Sequence, residues 1–156
     1  MHGKGTMDKF HRNWTEYKNG FGSIKNKAYW MGLEKIHRIT NTRRCGLKVT
    51  WKMYDGTSRV GNWDEFRVSG EEDKFRLTIG GWQPSSSWGK SELQYHNGMQ
   101  FSTADSDNDM LTDDNCAIVN QDINQGHYGW WYNDCYLFNA NHDIMGHDEV
   151  TMIIEM

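Results

Sequence analysis

Leu47-Lys48-Val49-Thr50-Trp51-Lys52-Met53-Tyr54 alternates strictly, with Leu47, Val49, Trp51 and Met53 on one face of an extended chain and Lys48, Thr50, Lys52 and Tyr54 on the other. A period of two with one apolar face is the pattern of a half-buried strand. Asp55-Gly56 follows as a turn signal, and strand-like runs come after it at Ser58 to Trp63, Phe66 to Ser69 and Phe75 to Ile79. Consecutive strands joined by short turns predict an antiparallel sheet.

Upstream, the period changes. Trp30, Leu33, Ile36 and His37 recur at helical spacing within Lys27 to Thr40, and Glu34 with Arg38 makes an i,i+4 pair, so a helix is expected there to pack on the sheet. Asn13 stands three residues before Glu16, the arrangement of a capping box, which predicts a short helix ending near Lys18 or Asn19, with Gly20 and Gly22 supplying the turn beyond it. Asn13 also opens an Asn-x-Thr glycosylation tripeptide, a use that competes with capping for the same side chain. The fold class expected is α+β, an antiparallel sheet packed by short helices.

Downstream of Gly80-Gly81 the character shifts again. Pro84-Ser85-Ser86-Ser87 reads as loop, and residues 101–149 are dense in Asp, Asn, Gly and aromatics with little periodicity. Such a stretch is not expected to be held by a large apolar core, and two other fastenings are visible. One is Asp105-Ser106-Asp107-Asn108-Asp109, which sets acceptor side chains along a short segment, as a hard cation with about six to eight oxygen ligands requires; a solvated loop that caps its own turns has the same composition. An EF-hand frame starting at Asp105 fails, because it puts Met110 where Gly is needed and Cys116 where Glu is needed. The other is Cys116 with Cys135, either a disulfide closing a loop of about 20 residues, which is worth roughly 3 kcal/mol, or two buried thiols. Cys45 is left over as a small buried side chain. A final strand is expected over Val150 to Glu155.

Composition excludes several classes. Within 156 residues, 17 basic and 21 acidic side chains give a formal net charge of -4 and no basic stripe for phosphates, so nucleic acid is not an expected partner. No run of about 18 apolar residues is present, and membrane insertion is not expected. His142, Asp143, His147 and Asp148 do not share one helical face as a zinc-protease motif would, and no nucleophile, base and orienting group fall together, so the chain is not expected to be an enzyme.

The segments Tyr95-His96-Asn97-Gly98-Met99, Phe101-Ser102-Thr103, Asp107-Asn108-Asp109, Asn115-Cys116-Ala117 and Gly129-Trp130-Trp131-Tyr132-Asn133-Asp134-Cys135 occur in the order of the fibrinogen-related domains. Arg12-Asn13-Trp14, Tyr17 to Gly22, Gly32 to His37 and Tyr54-Asp55-Gly56 extend this resemblance over nearly the whole chain. The resemblance implies a single domain over 1–156, with a central sheet subdomain over about 1–94 and a loop-rich calcium and ligand-binding subdomain over about 95–156. It implies calcium held by the side chains of Asp107 and Asp109 and by the backbone carbonyls of Leu111 and Asp113. It further implies a disulfide between Cys116 and Cys135, a cis peptide at Asp134–Cys135, and a neighbouring pocket formed by Asp134, Cys135, Tyr136, Tyr132 and Tyr128.

By the same resemblance the protein is expected to be secreted, a lectin-like recognition domain for acetylated or related glycans, or else a protein-interaction or assembly module of the same fold. A glycan or glycoprotein is the expected ligand, and self-association through Cys45 or through the sheet edges is an expected option. The chain resembles a domain shortened at both ends. Its Val119 to His127 loop is longer than usual, it carries Tyr136 where His is common, and it has only His142 to Glu149 where lectin members have a long aromatic segment, so a shallower pocket is expected.

Overall fold

In the computed structural model, Gly46–Met53 forms strand β3 with Leu47, Val49 and Trp51 buried on one face, as the alternation requires. The structure describes residues 9–26, 28–53, 55–87, 91–119, 127–141 and 147–156. Strand β4 (Ser58–Val68) pairs antiparallel with β3, and β5 (Leu77–Trp82) pairs with the far half of β4. Strand β6 (His147–Glu155) returns antiparallel to the other edge of β3, giving the order β5-β4-β3-β6. The two runs expected around Asp64-Glu65 are one strand. Residues 58–63 face β3 while residues 63–68 face β5, so ladder bonds on both sides carry the chain through its charged midpoint.

Helix α1 (Trp14–Asn19) carries the expected reciprocal cap: Asn13 Oδ1 accepts from the Glu16 N–H, and Glu16 Oε2 accepts from the Asn13 N–H. Strands β1 (Phe21–Ser23) and β2 (Ala28–Trp30) then form a small hairpin, and helix α2 (Leu33–Thr42) follows. The expected helix therefore starts later, at Leu33, and Trp30 belongs to a strand. Gly32 stands between the two at φ 103°, outside the helical region, and a side chain there would meet the Asn19 backbone at 2.7 Å. Helix α2 grips the end of β4: Thr40 Oγ1 accepts from the Val68 N–H, and the Asn41 side chain bonds both Val68 O and the Arg67 guanidinium.

The second half joins the same core, contrary to its aperiodic sequence. Phe101, Trp130, Trp131 and Phe138 are fully buried and Tyr132 nearly so, in one cluster with Leu47, Val49 and Trp51 of β3. Trp131 lies 6.2 Å from Trp30 and 5.2 Å from Phe101 between ring centroids, and Phe138 lies 5.3 Å from Trp51. A few large rings replace many aliphatic side chains, each removing a large area from water without helical or strand spacing. Backbone bonds from the Leu77 N–H to Met99 O and from the Phe101 N–H to Lys74 O tie this half to β5 and to the turn before it, and short helices α3 (Ser91–Gln94) and α4 (Cys116–Val119) punctuate it.

Candidate functional site

The acidic segment divides into two parts with different work. Asp105 Oδ1 accepts from the Trp14 N–H at 3.0 Å and from Thr103 Oγ1 at 2.7 Å, so this carboxylate holds the first turn of α1 against the loop. Its charge also suits the helix N-terminus. Asn108 points inward, donating through Nδ2 to Phe101 O and Ser106 O. Asp107 and Asp109 are left side by side. Asp109 is anchored, with Oδ2 accepting from the Cys116 N–H at 2.8 Å and Oδ1 from the Leu111 N–H at 2.9 Å. Burial, together with the adjacent Asp107 carboxyl, pushes the Asp109 carboxyl above the usual carboxylate range.

Cys116 and Cys135 are joined in a disulfide with Cα atoms 5.1 Å apart. Cys45 is 2% exposed, its thiol directed at Ile39 O and Arg43 O, so an intermolecular bridge through it is not available to the folded chain. Around the bridge three segments meet. The Met110 N–H donates to Asn133 O, the Asn133 side chain donates to Tyr95 O, and Tyr95 OH donates to Asp134 O. Met110 (61% exposed), Ile118 (39%), Val119 (39%) and Leu137 (49%) are large apolar side chains left in solvent on these segments, with Asp134 exposed among them.

The residues expected to line a pocket here are distributed unevenly. Asp134 is at the surface and Cys135 and Tyr136 are half-buried, but Tyr128 and Tyr132 are buried at 2% exposure each. Tyr132 OH donates to Tyr128 O and accepts from Asn139 Nδ2, which ties its ring into the core. The peptide at Asp134–Cys135 is trans, as are the other described peptide bonds, in line with the general preference against cis bonds outside proline. Asp113, expected to offer a carbonyl, is exposed, and Leu111, also expected to offer one, donates its N–H to Asp109 Oδ1.

Among the described residues no three His, Cys, Asp or Glu side chains converge on a metal position. A calcium site completed by carbonyls needs only two carboxylates, and the Asp107–Asp109 pair consists of hard oxygen donors whose mutual repulsion a cation would relieve. His142 and Asp143 lie outside the described residues, as does most of the expected long loop, residues 120–126.

His96 is a central residue that sequence reasoning placed in a motif without a role. It is fully buried, its Nδ1 lies 2.8 Å from Trp131 O and its Nε2 accepts from the Phe138 N–H at 3.2 Å, which requires a neutral ring protonated at Nδ1. It ties the Tyr95 turn to the chain on both sides of Cys135.

Residues 2–152 match the family model described as fibrinogen beta and gamma chains, C-terminal globular domain. The chain belongs to this family. It is 36% identical to mouse angiopoietin-related protein 7 over 138 residues, covering 88% of this chain and 38% of that protein. Against human tenascin-R the identity is 35% over 133 residues, 85% of this chain and 9% of the relative. The chain thus spans well under half the length of these curated relatives. Among solved structures, the fibrinogen-like globe domain of human ANGPTL2 superposes with a TM-score of 0.78 at 30% identity, covering 94% of this chain and 73% of that one. Lamprey fibrin D-dimer complexed with the peptide Gly-His-Arg-Pro-amide superposes at 0.75 and 27% identity, covering 88% of this chain and 46% of that one. The α+β architecture is therefore that of the fibrinogen C-terminal domains.

Proposed function

We propose that this fibrinogen-type domain is a secreted, non-catalytic recognition module that binds a protein or peptide partner on the surface around the Cys116–Cys135 bridge. The observation that carries this reading is the placement of side chains there: apolar Met110, Ile118, Val119 and Leu137 are exposed, whereas the Tyr128 and Tyr132 rings that a glycan pocket would use are in the core. Apolar side chains around a fixed backbone frame suit a protein surface. The disulfide suits an oxidising compartment, and the lamprey fold neighbour is a complex with a peptide ligand.

Calcium belongs to the same reading. Asp107 and Asp109 would hold it with the carbonyls of Leu111 and Asp113, and the bound ion would supply the positive charge that keeps both carboxylates ionised together. Asp109 also accepts the Cys116 N–H, so ordering this pair orders the start of the disulfide loop. Raising calcium from a chelated buffer to millimolar levels is expected to increase Tm in differential scanning calorimetry, and Asp109→Asn to abolish the increase. An unchanged Tm in the parent protein would remove calcium from the reading.

A second reading, an acetylated-glycan lectin, draws on Tyr136, whose half-buried ring lies 6.0 Å from that of Tyr132, beside exposed Asp134. Panning a peptide display library and probing a glycan array with the same calcium-loaded protein separates the two. Selected peptides whose binding is lost in Leu137→Asp, with no array signal, support the protein-interaction module. Array signal competed by N-acetylated sugars and untouched by Leu137→Asp supports the lectin.

A further inference from the structure

Asn13-Trp14-Thr15 is the only Asn-x-Ser/Thr tripeptide in the sequence, and the fold turns it outward. Asn13 and Thr15 are exposed, whereas the bulky middle residue points into the protein. The Trp14 ring lies 5.7 Å from that of Phe75 and 6.3 Å from that of Phe101 between centroids, and its Nε1 donates to Glu71 Oε1 at 3.1 Å. Asn133-Asp134-Cys135, with a thiol in third place, makes the contrast: Asn133 Nδ2 donates to Tyr95 O at 3.1 Å and Cys135 is bridged to Cys116, so folding commits both groups.

The competition expected between capping and glycosylation at Asn13 does not arise, because the two use different atoms. The cap is made by Oδ1, which accepts from the Glu16 N–H at 2.9 Å, and by the Asn13 backbone N–H, which donates to Glu16 Oε2 at 3.1 Å. An Asn side chain carries a carbonyl acceptor and a separate amide donor, and glycosyl transfer uses only the amide. Among the described residues neither Asn13 Nδ2 nor Thr15 Oγ1 makes a hydrogen bond. The folded chain thus leaves uncommitted the two groups that define the acceptor tripeptide.

We propose that Asn13 carries an N-linked glycan and caps α1 at the same time. The inference rests on the secreted reading above, because the oligosaccharide donor, a lipid-linked pyrophosphate, is met in the secretory compartment. In the transfer, Asn13 Nδ2 forms a bond to the anomeric carbon of the sugar while the bond from that carbon to the pyrophosphate oxygen breaks. The lipid pyrophosphate leaves with the electron pair, and one Nδ2 proton passes to a base of the transferase. The product keeps Oδ1 as a carbonyl, so the Glu16 bond survives and the sugar leaves from the exposed side of the N-cap. Asp105 Oδ1, which accepts from the Trp14 N–H at 3.0 Å, stands next to this point. A bulky, hydrated group there keeps the start of α1 in solvent when a partner docks elsewhere.

The test expresses the full chain in mammalian cells behind a cleavable signal peptide. Secreted chain and chain retained in the endoplasmic reticulum are both digested with peptide N-glycosidase in heavy-oxygen water. A single mobility shift on digestion is expected, with the isotope label at Asn13. The shift should be lost in Thr15→Ala and in Asn13→Asp, and kept in Thr15→Ser. By hydrogen exchange, the Glu16 amide should be as protected in the glycosylated protein as in Asn13→Asp, which keeps a capping oxygen without a glycan, and less protected in Asn13→Ala. An unlabelled Asn13, in secreted or retained chain, overturns the proposal, as does a Glu16 amide that loses protection when the glycan is present. Glycosylated chain that never leaves the cell supports the modification and counts against the secreted reading, so the two fail separately.

Discussion

At the scale of single residues, His96 shows how burial converts a surface-seeming motif into a structural lock. Desolvation pushes its pKa down to about 4 from the ordinary 6.5, only partly offset by its bond to Trp131 O, and a proton on Nε2 would face the Phe138 N–H donor. With the folded value depressed, the unfolded chain takes up a proton first as pH falls. The contribution of the neutral ring is therefore whole above pH 6.5 and is lost towards pH 4. Between pH 7 and pH 5 this removes about 2 kcal/mol, measurable as a fall in the urea midpoint, and His96→Ala should be less stable at pH 7 but lack that part of the pH dependence. Asp105 makes a second case. Asp105→Ala should cost about 1 kcal/mol through the lost acceptor for α1 and leave any calcium-dependent rise in Tm intact, because Asp105 is engaged with Trp14 and Thr103 rather than with the Asp107–Asp109 pair.

Among the elements, sequence legibility followed the origin of each signal. The α1 cap and the β3 alternation are written in neighbouring residues and appear as expected. The start of α2 is not, because Trp30 fits a helical stripe as well as a strand; what decides is Gly32, whose φ of 103° and contact with the Asn19 backbone only the folded hairpin imposes. Gly32→Ala is expected to cost more than about 1 kcal/mol in chemical denaturation. Glu34→Ala on the same helix loses only the exposed pair with Arg38, 3.2 Å apart, and should cost less than about 0.5 kcal/mol. Equal costs for the two substitutions would contradict this account of where α2 begins.

For the whole molecule, one aromatic cluster joins the sheet to the loop-rich half, so both halves should melt together. Near-ultraviolet circular dichroism, which reports the tryptophan rings, and far-ultraviolet circular dichroism are expected to give coincident transitions. Replacing Cys116 and Cys135 with Ser should lower stability by about 2–5 kcal/mol, read in the same unfolding experiment. The sequence by itself determined the α+β class, the family, the strand alternation and the carboxylates available for a cation, because these rest on local periodicity and on ordered motifs. Only the tertiary structure decided that Asp105 serves α1, that Tyr128 and Tyr132 belong to the core, and that Val150, Met152 and Ile154 are half-buried where they pair with β3. Each of those outcomes depends on which distant segment a residue meets, and no spacing along the chain encodes that contact.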